Sequence, residues 1–326
     1  MTPPPAVGEF VAASGGSSSM VASTVAMESA GLQPILVDIS RLVRPRIAIM
    51  VLATVAASAW LTAGRPENVS SLLAVLLGTA LVAASSSIAN QILERDADRF
   101  MRRTASRPLA SGRLSVSSGW MLTWCLLGLG TVICWQAAGW APAAAAGATW
   151  LLYVLAYTPL KRISPLNTAV GAVAGALPVA IGWLAVDGPG RLAAGDARGA
   201  LAVAALATVL YLWQFPHFMA IAWLYREQYA AAGMRMLTVV DPSGLRAAGQ
   251  SLAAAILLLP AALVLSVPSG SIQMFLSAAV AGTVYLVATV QFAVRRDDVS
   301  ARFLLLASLG ALLGLLSAAA LFGGPV

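Results

Sequence analysis

The chain alternates between long apolar stretches and short polar ones, and the apolar stretches recur at lengths of about 20 residues. Nine can be marked, at about 43–63, 70–90, 117–138, 141–159, 167–186, 199–219, 246–267, 272–294 and 302–322. Each is long enough to cross a hydrocarbon core of about 30 Å at about 1.5 Å per residue. Lipid offers a backbone no hydrogen-bond partners, so each stretch is predicted to be a helix. Pro178 and Pro260 fall inside two of them and predict local kinks. Gly171, Gly175 and Gly182 in the fifth predict close helix packing, and Asn167 is expected to cap its start. Cys125 and Cys134 in the third read as core residues.

The polar segments sort onto two sides. Seventeen of the 20 basic residues fall on one side and only Arg65, Arg191 and Arg198 on the other. Cytoplasmic loops retain Lys and Arg, so the split predicts a cytoplasmic N-terminus and an outside C-terminus. A missed helix would scramble that alternation, so the count of nine gains support. Of the 326 residues, 59% are hydrophobic and only 10% charged. A soluble domain carries roughly 25% charged residues, which excludes a pair of soluble domains of this total length. The net charge of +7 therefore reads as membrane topology before it reads as nucleic-acid binding. Two cysteines in a single stretch exclude a disulfide scaffold. One lysine against 19 arginines suggests a high-GC bacterium, hence its inner membrane. The first 40 residues hold no Lys or Arg, which supports neither a secretory signal nor a transit peptide. Residues 1–38, rich in Ser, Gly, Ala and Pro, are expected to be a disordered tail. The expectation is an all-α polytopic membrane protein with one domain over 39–326.

The cytoplasmic loops carry the candidate chemistry. Asn90, Glu94 and Asp98 are spaced i, i+4, i+8 and form one stripe on a helix that turns about 100° per residue. Three oxygen-bearing side chains near an interface suit Mg²⁺, which takes hard ligands and shares them with substrate phosphates. Asp96 falls off the stripe. Arg102, Arg103, Arg107 and Arg113 follow, and a carboxylate stripe beside an Arg cluster fits a diphosphate. The plainer reading is an interfacial helix end whose acids pair with neighbouring Arg. Lys161, the sole lysine, is placed either to donate to phosphate or to anchor its loop. His217, the sole histidine, is placed to ligate haem iron, to hydrogen-bond or to move a proton. Trp213, Phe215, Phe218 and Trp223 either line a flat apolar pocket or belong to an interfacial aromatic belt.

These segments together resemble the UbiA-type intramembrane prenyltransferases and, within them, the protoheme IX farnesyltransferase (haem O synthase) family. The matching strings are Asn90-Gln-Ile-Leu-Glu-Arg-Asp-Ala-Asp98, Met101-Arg-Arg-Thr104, Arg107-Pro-Leu109 and Tyr157-Thr-Pro-Leu-Lys-Arg162. Ser164-Pro-Leu-Asn167 through Gly182-Trp183 and Trp213-Gln-Phe-Pro-His-Phe218 complete them, over about residues 40 to 322. The resemblance implies helices around a central cavity with a cytoplasmic polar cap. It implies farnesyl diphosphate and haem B as substrates, haem O as product, Mg²⁺ as cofactor, and a haem A synthase as partner. Asn90, Glu94 and Asp98 would hold the metal and, with Lys161, carry catalysis. Arg95, Arg103, Arg107, Lys161 and Arg226 would bind the diphosphate, and His217 with Trp213 the haem. The second acidic motif of the wider superfamily is not evident, since Gln228 stands where an acid usually precedes Tyr229, with Glu227 one step earlier. The rival readings are a prenyltransferase for a quinone-precursor ring, a transporter, and a haem-handling assembly factor without catalysis.

Overall fold

The computed structural model describes residues 36–64 and 68–324; the expected tail over 1–38 lies almost wholly outside them, as does Arg65. Residues 1–41 and 42–326 form separate contact units, and of the first only 36–41, which are helical, are described. The second unit holds nine membrane-length helices among its described residues. They are α1 (Pro45–Ala63), α2 (Val69–Asp98), α3 (Val116–Ala138), α4 (Trp140–Ile163), α5 (Asn167–Ala185), α6 (Ala197–Leu224), α7 (Leu245–Val264), α8 (Ile272–Arg295) and α9 (Asp298–Phe322).

The expected spans are all present, and three run on past their apolar limits. α2 continues eight residues beyond position 90, α4 reaches Ile163 and α6 reaches Leu224. Backbone hydrogen bonding does not stop where hydrophobicity stops, so the polar ends of α2 and α4 continue as helix. Asn90, Glu94 and Asp98 consequently share one helix face, as their spacing requires.

α1 occupies the middle of the bundle and packs against α2, α5, α6 and α9. On one side α2, α3, α4 and the second half of α5 close around a core that includes Val75, Val82, Trp150 and Ile181. On the other, α6 to α9 pack in sequence and α9 returns onto α6, around Leu206, Leu258, Tyr285 and Leu312. Regular α-helix is interrupted at Leu177, just before Pro178, although Leu177 keeps right-handed helical backbone (φ −55°, ψ −33°), and α7 continues through Pro260. The small residues of α5 allow close approach: a Cβ on Gly171 would sit 2.7 Å from the Tyr157 ring, and one on Gly182 would collide with the Val55 carbonyl of α1.

Two expectations are corrected. Cys134 is buried, but Cys125 is exposed on the outside of α3. In a bundle surrounded by lipid, an apolar position does not distinguish inside from outside. Asn167 does not cap α5; its side-chain amide donates to the Ser164 carbonyl at 2.7 Å, which ties down the preceding loop instead.

Candidate functional site

A cavity of about 740 Å³ opens between the two groups of helices. Its deep walls are apolar and come from Met50, Val82, Ala146, Pro178, Ile181 and Leu312. Its rim is charged, with five basic residues (Arg44, Arg46, Arg103, Arg107, Lys161) and two acidic ones (Glu94, Asp98). Among the described residues no other acid lines it. The excess of positive charge suits a polyanionic headgroup, and the apolar depth suits a hydrocarbon chain.

Three chain segments converge on the stripe of α2. The loop after α2 folds back: the Thr104 hydroxyl donates to the Asp98 carbonyl at 3.1 Å, and Arg107 N–H donates to the Thr104 carbonyl at 2.9 Å. This turn delivers Arg107 Nη1 to Asp98 Oδ2 at 2.6 Å. Burial, and after it the nearby Arg44 charge, lowers the Arg107 guanidinium from its ordinary value, while Asp98 pulls it back up; it stays charged. The polar end of α4 delivers Lys161, whose Nζ meets Glu94 Oε1 at 2.7 Å and lies 4.4 Å from the Tyr157 ring centre. A π-helical segment over Leu152–Tyr157 precedes it. The wider turn shifts the helix face, and the Thr158 hydroxyl donates to the Tyr153 carbonyl five residues back at 2.9 Å. Tyr153 and Tyr157 both line the cavity. The start of α1 delivers Arg44, whose Nη2 donates to Asn90 Oδ1 at 3.0 Å, while Asn90 Nδ2 donates to Thr158 Oγ1 at 3.0 Å.

The donor set fits a hard divalent cation. Asp98 is fully buried, and its Oδ1 has no hydrogen-bond partner. A buried carboxylate oxygen without a partner is costly unless a cation arrives. Among the described residues there is no cluster of three or more His, Cys, Asp or Glu that would cage a metal. That agrees with Mg²⁺, which commonly uses one or two carboxylates together with substrate phosphates.

The second half of the expected site lies across the cavity on α6. His217 and Trp213 stack at 4.4 Å, and both face the cavity with Phe218. Ser308 of α9 fixes the imidazole: its Oγ lies 2.7 Å from His217 Nδ1 and donates onward to the Leu305 carbonyl at 2.6 Å. This contact anchors the ring through Nδ1. The Trp213 indole N–H donates to the Ser308 carbonyl at 2.7 Å, which locks the same pair of helices.

Not every expected residue reaches the cavity. Arg95 pairs with exposed Asp96 at 3.4 Å on the outer face of α2. Arg226 pairs with Asp298 at 2.9 Å and stacks on Trp223, away from the cavity. Phe215 and Trp223 are core residues. Glu227 is exposed, and Tyr229 is the residue of that segment that lines the cavity. Sequence reasoning missed Arg44 and Tyr153 as site residues; the one available signal at Arg44 was a cation immediately before the proline that opens α1.

The model of the UbiA prenyltransferase family matches residues 51–310. The chain belongs to the UbiA prenyltransferase family. Two relatives share its sequence over most of their length. The protoheme IX farnesyltransferase of Rhodopirellula baltica is 44% identical over 230 residues, 69% of this chain and 76% of that protein. The protoheme IX farnesyltransferase of Solibacter usitatus is 36% identical over 281 residues, 83% of this chain and 93% of that protein. Among solved structures, a UbiA homolog from Archaeoglobus fulgidus bound to GPP and Mg²⁺ has the same fold, with a TM-score of 0.60, 16% identity, and coverage of 86% of this chain and 98% of that one. As a member of the UbiA family with nine apolar helices among its described residues, this is a multi-pass membrane prenyltransferase.

Proposed function

We propose that the chain transfers the farnesyl group of farnesyl diphosphate to a vinyl group of protoheme IX (haem B), giving haem O. The observation that carries this is one cavity with two differently equipped walls: an acid–base rim on α2 and α4, and a His–Trp face on α6. The kinship with protoheme IX farnesyltransferases supports the same acceptor. Residues 39–326 act as the single catalytic domain in a bacterial inner membrane, with the N-terminus and the rim cytoplasmic and the C-terminus outside. The Arg and Lys asymmetry supports that orientation.

In this reading Arg103, Arg107 and Lys161 donate to the diphosphate, and their charge stabilises the leaving group as the allylic C–O bond breaks. Glu94, Asp98 and Asn90 Oδ1 would hold Mg²⁺, which when bound supplies Lewis-acid neutralisation of phosphate oxygens. The diphosphate leaves with the electron pair. The terminal vinyl carbon gives its π electrons to farnesyl C1 and forms the new C–C bond. Positive charge then rests on the carbon next to the macrocycle, where water adds its oxygen and releases a proton. The apolar depth keeps water from the allylic cation until the C–C bond exists. His217 Nε2 and the Trp213 ring orient the haem. The kinship with protoheme IX farnesyltransferases makes a haem A synthase that accepts haem O the expected partner.

Expression in a bacterium that lacks its own haem O synthase tests the acceptor. Haem O should return to the membrane fraction. Its continued absence, with the chain present in the membrane, would contradict the proposal.

A further inference from the structure

Each member of the α2 stripe has one basic side chain on it. Arg44 holds Asn90 Oδ1, Lys161 holds Glu94 Oε1 and Arg107 holds Asp98 Oδ2. The three cations come from 46, 67 and 9 positions away in the chain, so the one-to-one pattern is not a product of local sequence. All three cations line the cavity. Arg44 is the unusual one. Its partner is a neutral amide, and its backbone is left-handed (φ 52°, ψ 66°) although it is not glycine and precedes Pro45. Such a conformation costs free energy and persists where the surrounding structure holds it.

A divalent cation and a guanidinium cannot both sit on one small oxygen without strong like-charge repulsion. Asp98 Oδ1 is open to a metal while Arg107 stays on Oδ2, but Asn90 offers only Oδ1, so a metal that takes it has to displace Arg44, which then stands at the mouth of the cavity where a diphosphate would lie. We propose that the rim works by counterion exchange. Arg44 is a placeholder on Asn90 Oδ1 and, beside Arg103, Arg107 and Lys161, a fourth diphosphate-binding residue that Asn90 releases when metal binds. The exchange rests on the prenyl-transfer reading of the site. It couples the two ligands: metal frees a donor that the diphosphate needs, and the diphosphate removes a competitor that the metal faces.

The sign of one variant separates this from a simple ligand set. Isothermal titration calorimetry on the full chain in lipid nanodiscs would use MgCl₂ alone, then inorganic pyrophosphate at saturating Mg²⁺. Arg44→Gln removes a competitor, so Mg²⁺ alone should bind about tenfold tighter and pyrophosphate about tenfold weaker, each equivalent to one charge-assisted hydrogen bond. Arg44→Ala should move both affinities in the same directions and stands in if Arg44→Gln does not fold. Arg95→Gln is the control, because Arg95 pairs with exposed Asp96 on the outer face of α2 and does not line the cavity; it should change either affinity by less than about twofold. Weaker or unchanged Mg²⁺ binding in Arg44→Gln, or equal effects from Arg95→Gln, would overturn the exchange and leave the proposed function standing. Failure of the wild-type chain to bind pyrophosphate with Mg²⁺ would overturn both.

Discussion

Asp98 joins the two demands of the rim in one side chain: Oδ2 holds Arg107 at 2.6 Å and Oδ1 has no hydrogen-bond partner. Asp98→Asn keeps the shape and removes the charge, so haem O formation should fall by about a thousandfold or more while the chain remains folded. Initial rates beside a thermal melt check this; near-normal turnover would remove Asp98 from the site. Across the cavity, His217→Ala should weaken haem B binding, read from the Soret band, more than it weakens farnesyl diphosphate binding. Equal losses would argue against a haem role. Spacing made the α2 stripe legible, because i, i+4, i+8 admits one arrangement on a helix. Arg44 was not legible, since its bond to Asn90 spans 46 positions. The diphosphate roles of Arg95 and Arg226 came with the family resemblance, which says nothing about helix face. Arg95 adjoins Glu94 in sequence yet projects about 100° round the helix from it.

At the scale of the element, the apolar pattern located nine helices but not their polar ends. The extensions of α2 and α4 matter most, because they place Glu94, Asp98 and Lys161 on rigid helix rather than loop. The π-helical segment of α4 left no sequence signal, since apolar residues continue through Leu152–Tyr157 without a break. Helix ends also hold the groups that titrate outside the membrane. Asp297 starts α9 with a capping box, its Oδ1 accepting from the Ser300 backbone N–H at 2.7 Å, and that bond holds its carboxyl below the usual value. A lowered carboxyl contributes stability above its unfolded value of about 3.9 and loses it as pH falls through the folded value. Melting temperatures of wild type and Asp297→Asn should therefore differ most near neutral pH and converge under acid. A gap that does not change with pH would contradict this account of the cap.

For the whole molecule, composition and charge asymmetry were enough to read a multi-pass bundle, and the shape of the cavity was not. It exists because α1 stands between two helical groups, and which helices become neighbours depends on side-chain packing that hydrophobicity does not encode. Orientation is open to a direct check. A periplasm-dependent phosphatase fused after residue 326 should be active, and a fusion in the loop between α2 and α3 inactive; the reverse pattern would place the rim outside. The central claim is that one cavity brings a metal-assisted diphosphate rim to a haem-binding wall. The most direct test supplies purified chain in lipid with haem B, farnesyl diphosphate and Mg²⁺, with and without EDTA, and measures haem O by mass spectrometry. Haem O that forms with Mg²⁺ and vanishes with EDTA is the expected result. No haem O from folded protein beside a working control, or equal yield with EDTA, would contradict the account.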